Sequence, residues 1–208
     1  RSSMEHNLLI TVSGPPGSGA SSTSRELAET LGVQRVDGGE VFRELAAERE
    51  MSLTQFSAKA DEDPEIDRLI DRRLQRVAEV WGASNKGFVL ESRLAGWLAG
   101  NRADMRIWLD APEEIRVDLT ADREEMESEM RVREVQEIGR FERAYGVDVT
   151  DTSFYDLSLN TARWSRESIV EIIMNAIREY EHEHDEGAFT NAITLPDPEG
   201  ETELGPSA

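Results

Sequence analysis

The sequence predicts an α/β fold, a parallel sheet with helices on both faces, and three observations carry that expectation. A continuous apolar run, Leu8 to Val12, is closed by Ser13-Gly14 and followed by a segment with helical spacing. Four more short strand candidates recur along the chain, with helical stretches filling most of the gaps between them. The 208 residues, 38% of them hydrophobic, suffice for one domain with a sizeable core that needs no disulfide or metal staple. Strands covered on both faces read as unbroken apolar runs, and strands alternating with helices define this class.

Taken in order, residues 1–7 read as a polar leader in which Met4 is a candidate start, and 8–184 as the folded domain. After the first strand, Leu27, Ala28 and Leu31 share one helical face and Gly32 supplies the stop. Gln34-Arg35-Val36, Phe88 to Leu90, Met105 to Leu109 and Leu157 to Leu159 complete an expected five-stranded sheet. Helices are expected at about 41–50, 52–60, 64–80 and 112–144. A last helix from near Ser165 carries the stripe Ile169, Val170, Ile172, Ile173, Ala176 and Ile177. Two charge-dense stretches, 49–75 and 113–145, read as surface inserts. Residues 185–208 lack periodicity and hold Pro196, Pro198, Gly200 and Gly205, so they read as a disordered acidic tail.

Composition excludes several function classes. With no cysteine there is no thiol nucleophile, disulfide scaffold or thiolate metal site. His6, His182 and His184 lie at the chain ends, which leaves no Ser-His-Asp arrangement and no histidine-built metal site to expect. No apolar run approaches the roughly 20 residues of a membrane span, and none resembles a signal peptide, so a cytoplasmic protein is expected. The chain carries 43 acidic against 23 basic residues, a formal net charge of −20, and only Lys59 and Lys86 are lysines. That sign opposes nucleic-acid binding, which is driven by phosphate neutralisation. The eight acids of residues 181–208 do not account for the whole excess. An acidic surface adapted to high salt, where self-repulsion is screened, is the favoured explanation over the tail alone.

The motif that carries chemistry is Gly14-Pro15-Pro16-Gly17-Ser18-Gly19-Ala20-Ser21, followed by Ser22. Against G-x-x-x-x-G-K-[ST] it matches at Gly14, Gly19 and Ser21 and departs at Ala20, where lysine belongs. Glycines let successive N–H groups turn inward as an anion nest, and the following helix presents its positive end to the same anion. Ser21 is placed to offer its hydroxyl to magnesium. The missing lysine is the mobile cation that follows charge on the β- and γ-phosphates. The motif follows the first strand and opens a helix, so the expectation is a P-loop fold that binds phosphate.

Other segments narrow the branch. Val36-Asp37-Gly38-Gly39-Glu40-Val41-Phe42-Arg43 follows the second strand, and Glu91-Ser92-Arg93-Leu94-Ala95-Gly96-Trp97 the third. With Asp63-Pro64-Glu65-Ile66-Asp67, Ile107 to Ala111 and Tyr145-Gly146-Val147-Asp148, these segments resemble the archaeal type of cytidylate kinase. The resemblance runs from about residue 8 to 180, and the acidic, lysine-poor balance looks like a halophilic member. It implies a P-loop NTPase-type three-layer fold with an acceptor-binding insert at about 37–80 and a lid at about 113–148. It also implies phosphoryl transfer from ATP to CMP or dCMP with Mg2+, in a monomer.

By the same resemblance, Gly14 to Ser22, Ala20 included, hold the ATP phosphates. Arg43 and Arg93 grip the acceptor's phosphate, Asp37 helps orient it, and Trp97 is a candidate lining residue. Arg116, Arg123, Arg133 and Arg140 recur through the lid, with Arg123, Arg133 and Arg140 implied as the catalytic cations. Bidentate guanidinium groups suit phosphate monoesters. Glu91 reads equally as a carboxylate serving magnesium or as a plain loop acid. Leu119 stands where the family has arginine; each missing cation is worth on the order of 100-fold in rate by analogy with oxyanion-hole deletions.

Two alternatives stay open: a nucleotide binder without turnover, or an inactivated variant, motivated by Ala20, and another small-molecule kinase of the same fold. The charge reading carries its own test. The melting temperature should climb steadily as KCl approaches molar concentrations, and a flat or falling curve would contradict the high-salt explanation.

Overall fold

The computed structural model describes residues 7–84, 86–118 and 137–180. The leader apart from Asn7, the acidic tail, and Leu119, Arg123 and Arg133 lie outside these residues. Five parallel strands form one sheet: β1 (Leu9–Ser13), β2 (Gln34–Asp37), β3 (Phe88–Glu91), β4 (Met105–Asp110) and β5 (Leu157–Asn160), in the order β2-β3-β1-β4-β5. The helices are α1 (Ala20–Leu31), α2 (Gly38–Glu48), α3 (Leu53–Glu62), α4 (Pro64–Ala83), α5 (Ala95–Ala99), α6 (Glu113–Asp118), α7 (137–145) and α8 (Arg166–Arg178).

Alternation along the strands divides the core into two layers. Leu9 of β1 with Phe88 and Leu90 of β3 faces α2, α4 and α5, while Ile10, Val12 and Val89 face α1 and α8. The stripe expected on α8 is buried at Ile169, Val170, Ile173 and Ile177, with Met174 added. All five expected strands are present.

Three expectations change. The charge-dense 49–75 stretch supplies Phe56, Ile66 and Leu74 to the core, each nearly or fully buried. Its acids and arginines lie on the outer faces of α3 and α4, and a few well-spaced apolar residues suffice for the inner ones. The helix after β2 starts at Gly38 because Asp37 caps it, accepting from the Glu40 N–H. The Arg93–Trp97 run leads into α5, too short to show helical periodicity and buried at Ala95, Leu98 and Ala99.

Parallel strands bring every C-terminal end to one edge, where ligands bind in such sheets. In this chain those ends are Ser13, Asp37, Glu91, Asp110 and Asn160. Asp37 pairs in register with Glu91, and Asp110 with Asn160.

Candidate functional site

The β1–α1 loop occupies the centre of that edge. Gly17 (φ 78°) and Gly19 (φ 85°) adopt left-handed backbone, which non-glycine residues rarely do. A Cβ at Gly14 would run into the Leu109 carbonyl, and one at Gly17 would stand 2.5 Å from the Arg116 carbonyl oxygen. The loop is thus wedged between the ends of β4 and α6 with room for hydrogen only. Arg116 is part of the wedge: it is buried and donates from Nε to Ala111 O (3.1 Å) and from Nη1 to Pro16 O (3.3 Å). It braces the loop from behind and is not a solvent-side lid arginine. Thr161 locks the other flank, its hydroxyl 2.8 Å from Ser18 O and 3.1 Å from Asp110 O.

Gly14 to Ser22 line a cavity of about 500 Å³ together with Gly38, Gly39, Glu91, Ser92, Arg93, Glu137 and Arg166. The first turn of α1 contains no acidic residue. Acids occupy the first turns of α2, α4, α6 and α8. An uncompensated helix start leaves its positive partial charge for an anionic ligand. The hydroxyls of Ser18 and Ser92 are buried and have no partner among the described residues. Such orphaned donors suit phosphate oxygens.

The sequence-derived candidates fall into distinct places. Arg93 faces the cavity and pairs with Glu137 at 3.0 Å. Arg43 is exposed on α2, and its guanidinium lies against Gly39, where a Cβ would stand 3.4 Å from Nη1. Asp37 is buried, caps α2 and pairs with Arg35 at 2.5 Å. Arg140 is ion-paired to Asp67 of α4 and stacks over the Phe141 ring. Trp97 packs edge-on against Phe154, ring centroids 4.3 Å apart. Arg166, a further cavity-lining cation, was missed by sequence reasoning; it follows the last strand, whose end must reach the same edge.

Two carboxyls are pushed above their ordinary range. Burial, reinforced by Asp37, pushes Glu91 up to about 7 against the pull of Arg35 and Arg93. Burial likewise pushes Asp71 of α4 up to about 6, opposed by the hydrogen bond from the Tyr145 hydroxyl (2.7 Å) and by Arg140. Desolvation beside Asp71 moves Tyr145 upward as well. As for a metal, Ser21 and Glu91 offer hard oxygen donors at the cavity, a set that suits Mg2+ together with nucleotide phosphates. Among the described residues no cluster of three His, Cys, Asp or Glu forms a self-sufficient metal site.

A glycine-rich loop after the central strand of a parallel sheet, facing arginines across a cavity, defines a nucleotide-binding protein of the P-loop class. Residues 10–142 match the family model described as AAA domain. The chain is 46% identical to a cytidylate kinase of Haloquadratum walsbyi over 187 residues, covering 88% of this chain and 95% of that one. It is 43% identical to a cytidylate kinase of Pyrococcus horikoshii, covering 82% and 88%. Among solved structures it is similar in fold to a shikimate kinase of Aquifex aeolicus (TM-score 0.51, 15% identity, covering 83% and 97%). The chain belongs to the cytidylate kinase family. No helix among the described residues is long and apolar enough to cross a membrane.

Asp71 generates a pH prediction. A carboxyl whose folded pKa of about 6 exceeds its ordinary value of 3.8 binds its proton more tightly when folded. Its stabilising contribution is therefore full below pH ~4 and lost as pH rises past ~6, on the order of 2–3 kcal/mol. Asp71→Asn keeps an acceptor for Tyr145 and removes the titration. Urea unfolding should show the variant more stable than the parent at pH 8 and equal to it at pH 4. A difference that does not change with pH would contradict the assignment.

Proposed function

We propose that this chain transfers the γ-phosphoryl group of ATP to CMP, with dCMP as a second acceptor, acting in the cytoplasm as a monomer. The observation that carries the reading is the continuity of one cavity from the phosphate loop to Arg93 and the Gly38–Gly39 helix start. In this reading a donor cradle and an acceptor-side cation share one sheet edge, as in-line transfer requires. In the reaction an oxygen of the CMP phosphate attacks Pγ. The bond from Pγ to the oxygen bridging it to Pβ breaks, and CDP and ADP result.

Each part of the cavity has a role in this reading. The N–H groups from Gly17 to Ser22 and the start of α1 neutralise the triphosphate, and the Ser18 hydroxyl makes its missing hydrogen bond there. Magnesium, when bound beside Ser21 and Glu91, would supply charge neutralisation between the β- and γ-phosphates. Arg93 takes the acceptor phosphate once that dianion has displaced the Glu137 carboxylate. Arg43, close to Gly39, is the second acceptor-side arginine of this reading. Arg140 joins the transferring group by leaving Asp67, and Arg123 and Arg133 are given the same catalytic role by family resemblance. Asp37 orients the acceptor indirectly, by fixing the first turn of α2.

Ala20 favours a second reading, in which nucleotide binds and chemistry is lost. Calorimetric titration of CMP and of ATP with Mg2+, with ADP release followed in the same samples, separates the two. Turnover that needs both nucleotides supports the kinase, and binding without ADP formation supports the second reading. The absence of CMP binding by folded protein would remove the substrate assignment. Arg93→Ala should weaken CMP about 10- to 100-fold, the worth of one charge-assisted contact. Glu137→Gln should tighten it by relieving the competing ion pair.

A further inference from the structure

Arg35 is heavily engaged beside the phosphate loop, and neither the motif nor the family resemblance singles it out. It projects from β2, an edge strand, yet its side chain is only 9% exposed. Nε donates to Ser24 Oγ at 2.7 Å, and Nη2 donates to Ser21 Oγ at 3.2 Å and Ser21 O at 3.5 Å. Nη1 pairs with Asp37 at 2.5 Å, and Nη2 lies 3.6 Å from Glu91 Oε2. Three elements, α1, β2 and β3, thus hold one guanidinium in a fixed plane. Asp37 is itself fixed by the Glu40 N–H on its other carboxylate oxygen, so the group that holds Nη1 is held in turn by the start of α2.

The focus of that arrangement is Ser21. It sits in the first turn of α1, lines the cavity, and directly follows Ala20, whose buried methyl stands where the motif has its lysine. A hydroxyl has one hydrogen and two acceptor lone pairs. Arg35 fills one lone pair from the side of the sheet, which leaves the O–H and the other lone pair to serve the cavity. A Ser21 hydroxyl without that partner would rotate freely at an exposed helix start.

We propose that Arg35 is a positioning residue for phosphoryl transfer: it fixes the Ser21 hydroxyl and brings to the phosphate loop the positive charge that Ala20 lacks. The charge arrives through the helix's first turn from β2, where the lysine would have reached the phosphates directly. Asp37 and Glu91 hold the guanidinium in place, and their negative charge keeps this substitute weaker than a free lysine.

The inference rests on the phosphate-binding reading of the loop, so the experiment reads ATP and ADP affinity, which needs no acceptor, before it reads turnover. Calorimetry would be run on the parent, Arg35→Gln, Ala20→Lys and the Arg35→Gln/Ala20→Lys pair. Arg35→Gln should weaken ATP about tenfold and lower kcat while leaving the KM for the acceptor unchanged, the effect of losing one charged donor. Ala20→Lys should recover most of that loss in the Arg35→Gln background and add less in the parent, because the two cations do the same work. Should Arg35→Gln fail to fold for want of a partner for Asp37, Arg35→Lys keeps a charge for Asp37 but not the fork onto Ser21 and Ser24, and should show a smaller loss of the same sign. Unchanged ATP affinity and kcat in a folded Arg35 variant would overturn the proposal. So would a loss that lysine at position 20 does not relieve, since a purely structural arginine behaves that way. If the parent itself binds no ATP, the phosphate-site reading fails first and takes this one with it.

Discussion

The backbone of the β1–α1 loop can follow its course only because Gly14 and Gly17 carry no side chain. One would press on the Leu109 carbonyl and the other on that of Arg116. This close approach ties the ends of β1, β4 and α6 into one unit, and Thr161 adds the end of β5. Because the strands are parallel, fixing that loop also fixes where the β2 and β3 ends lie, with Asp37 and Glu91 in register beside it. The position of α1, the orientation of Ser21 and the mouth of the cavity all follow from the same contact.

Charge is organised around that loop in a consistent way. In a chain with a net charge of −20, four arginines near the site are already engaged. Arg35 has Asp37, Arg93 has Glu137, Arg140 has Asp67, and Arg116 has two backbone carbonyls. A nucleotide phosphate must therefore compete with carboxylates for Arg93 and Arg140, whereas Arg35 and Arg116 act from fixed positions beneath the loop. The start of α1, free of acidic residues, is the part of the site where no internal competitor is built in. This division separates groups that shape the cradle from groups that exchange partners when substrates enter.

Much of this was legible in the sequence. The five strands and the phosphate loop announce themselves because buried parallel strands are unbroken apolar runs and because the glycine spacing has a backbone reason. The placement of Arg93 at the cavity follows from its position just after β3. What escaped depends on pairings between distant segments. Phe56, Ile66 and Leu74 look isolated among charges, and only the folded α3 and α4 bring them to one face. Arg116 resembles its neighbours in the 113–145 stretch until the Pro16 carbonyl is seen beneath it. Arg35 and Thr161 carry no motif at all; their roles come from strand order, which local periodicity does not encode.

The central claim is that the backbone from Gly14 to Ser22 is a preformed phosphate cradle serving one cavity shared with Arg93. Amide-resolved NMR during titration with ATP and Mg2+ tests it most directly, since the cradle acts through its N–H groups. The account predicts that the largest shifts fall on residues 17–22, with smaller ones at Ser92, Arg93 and Thr161. Saturable ATP binding that leaves the loop amides unmoved, with its shifts on another face of the sheet, would contradict it.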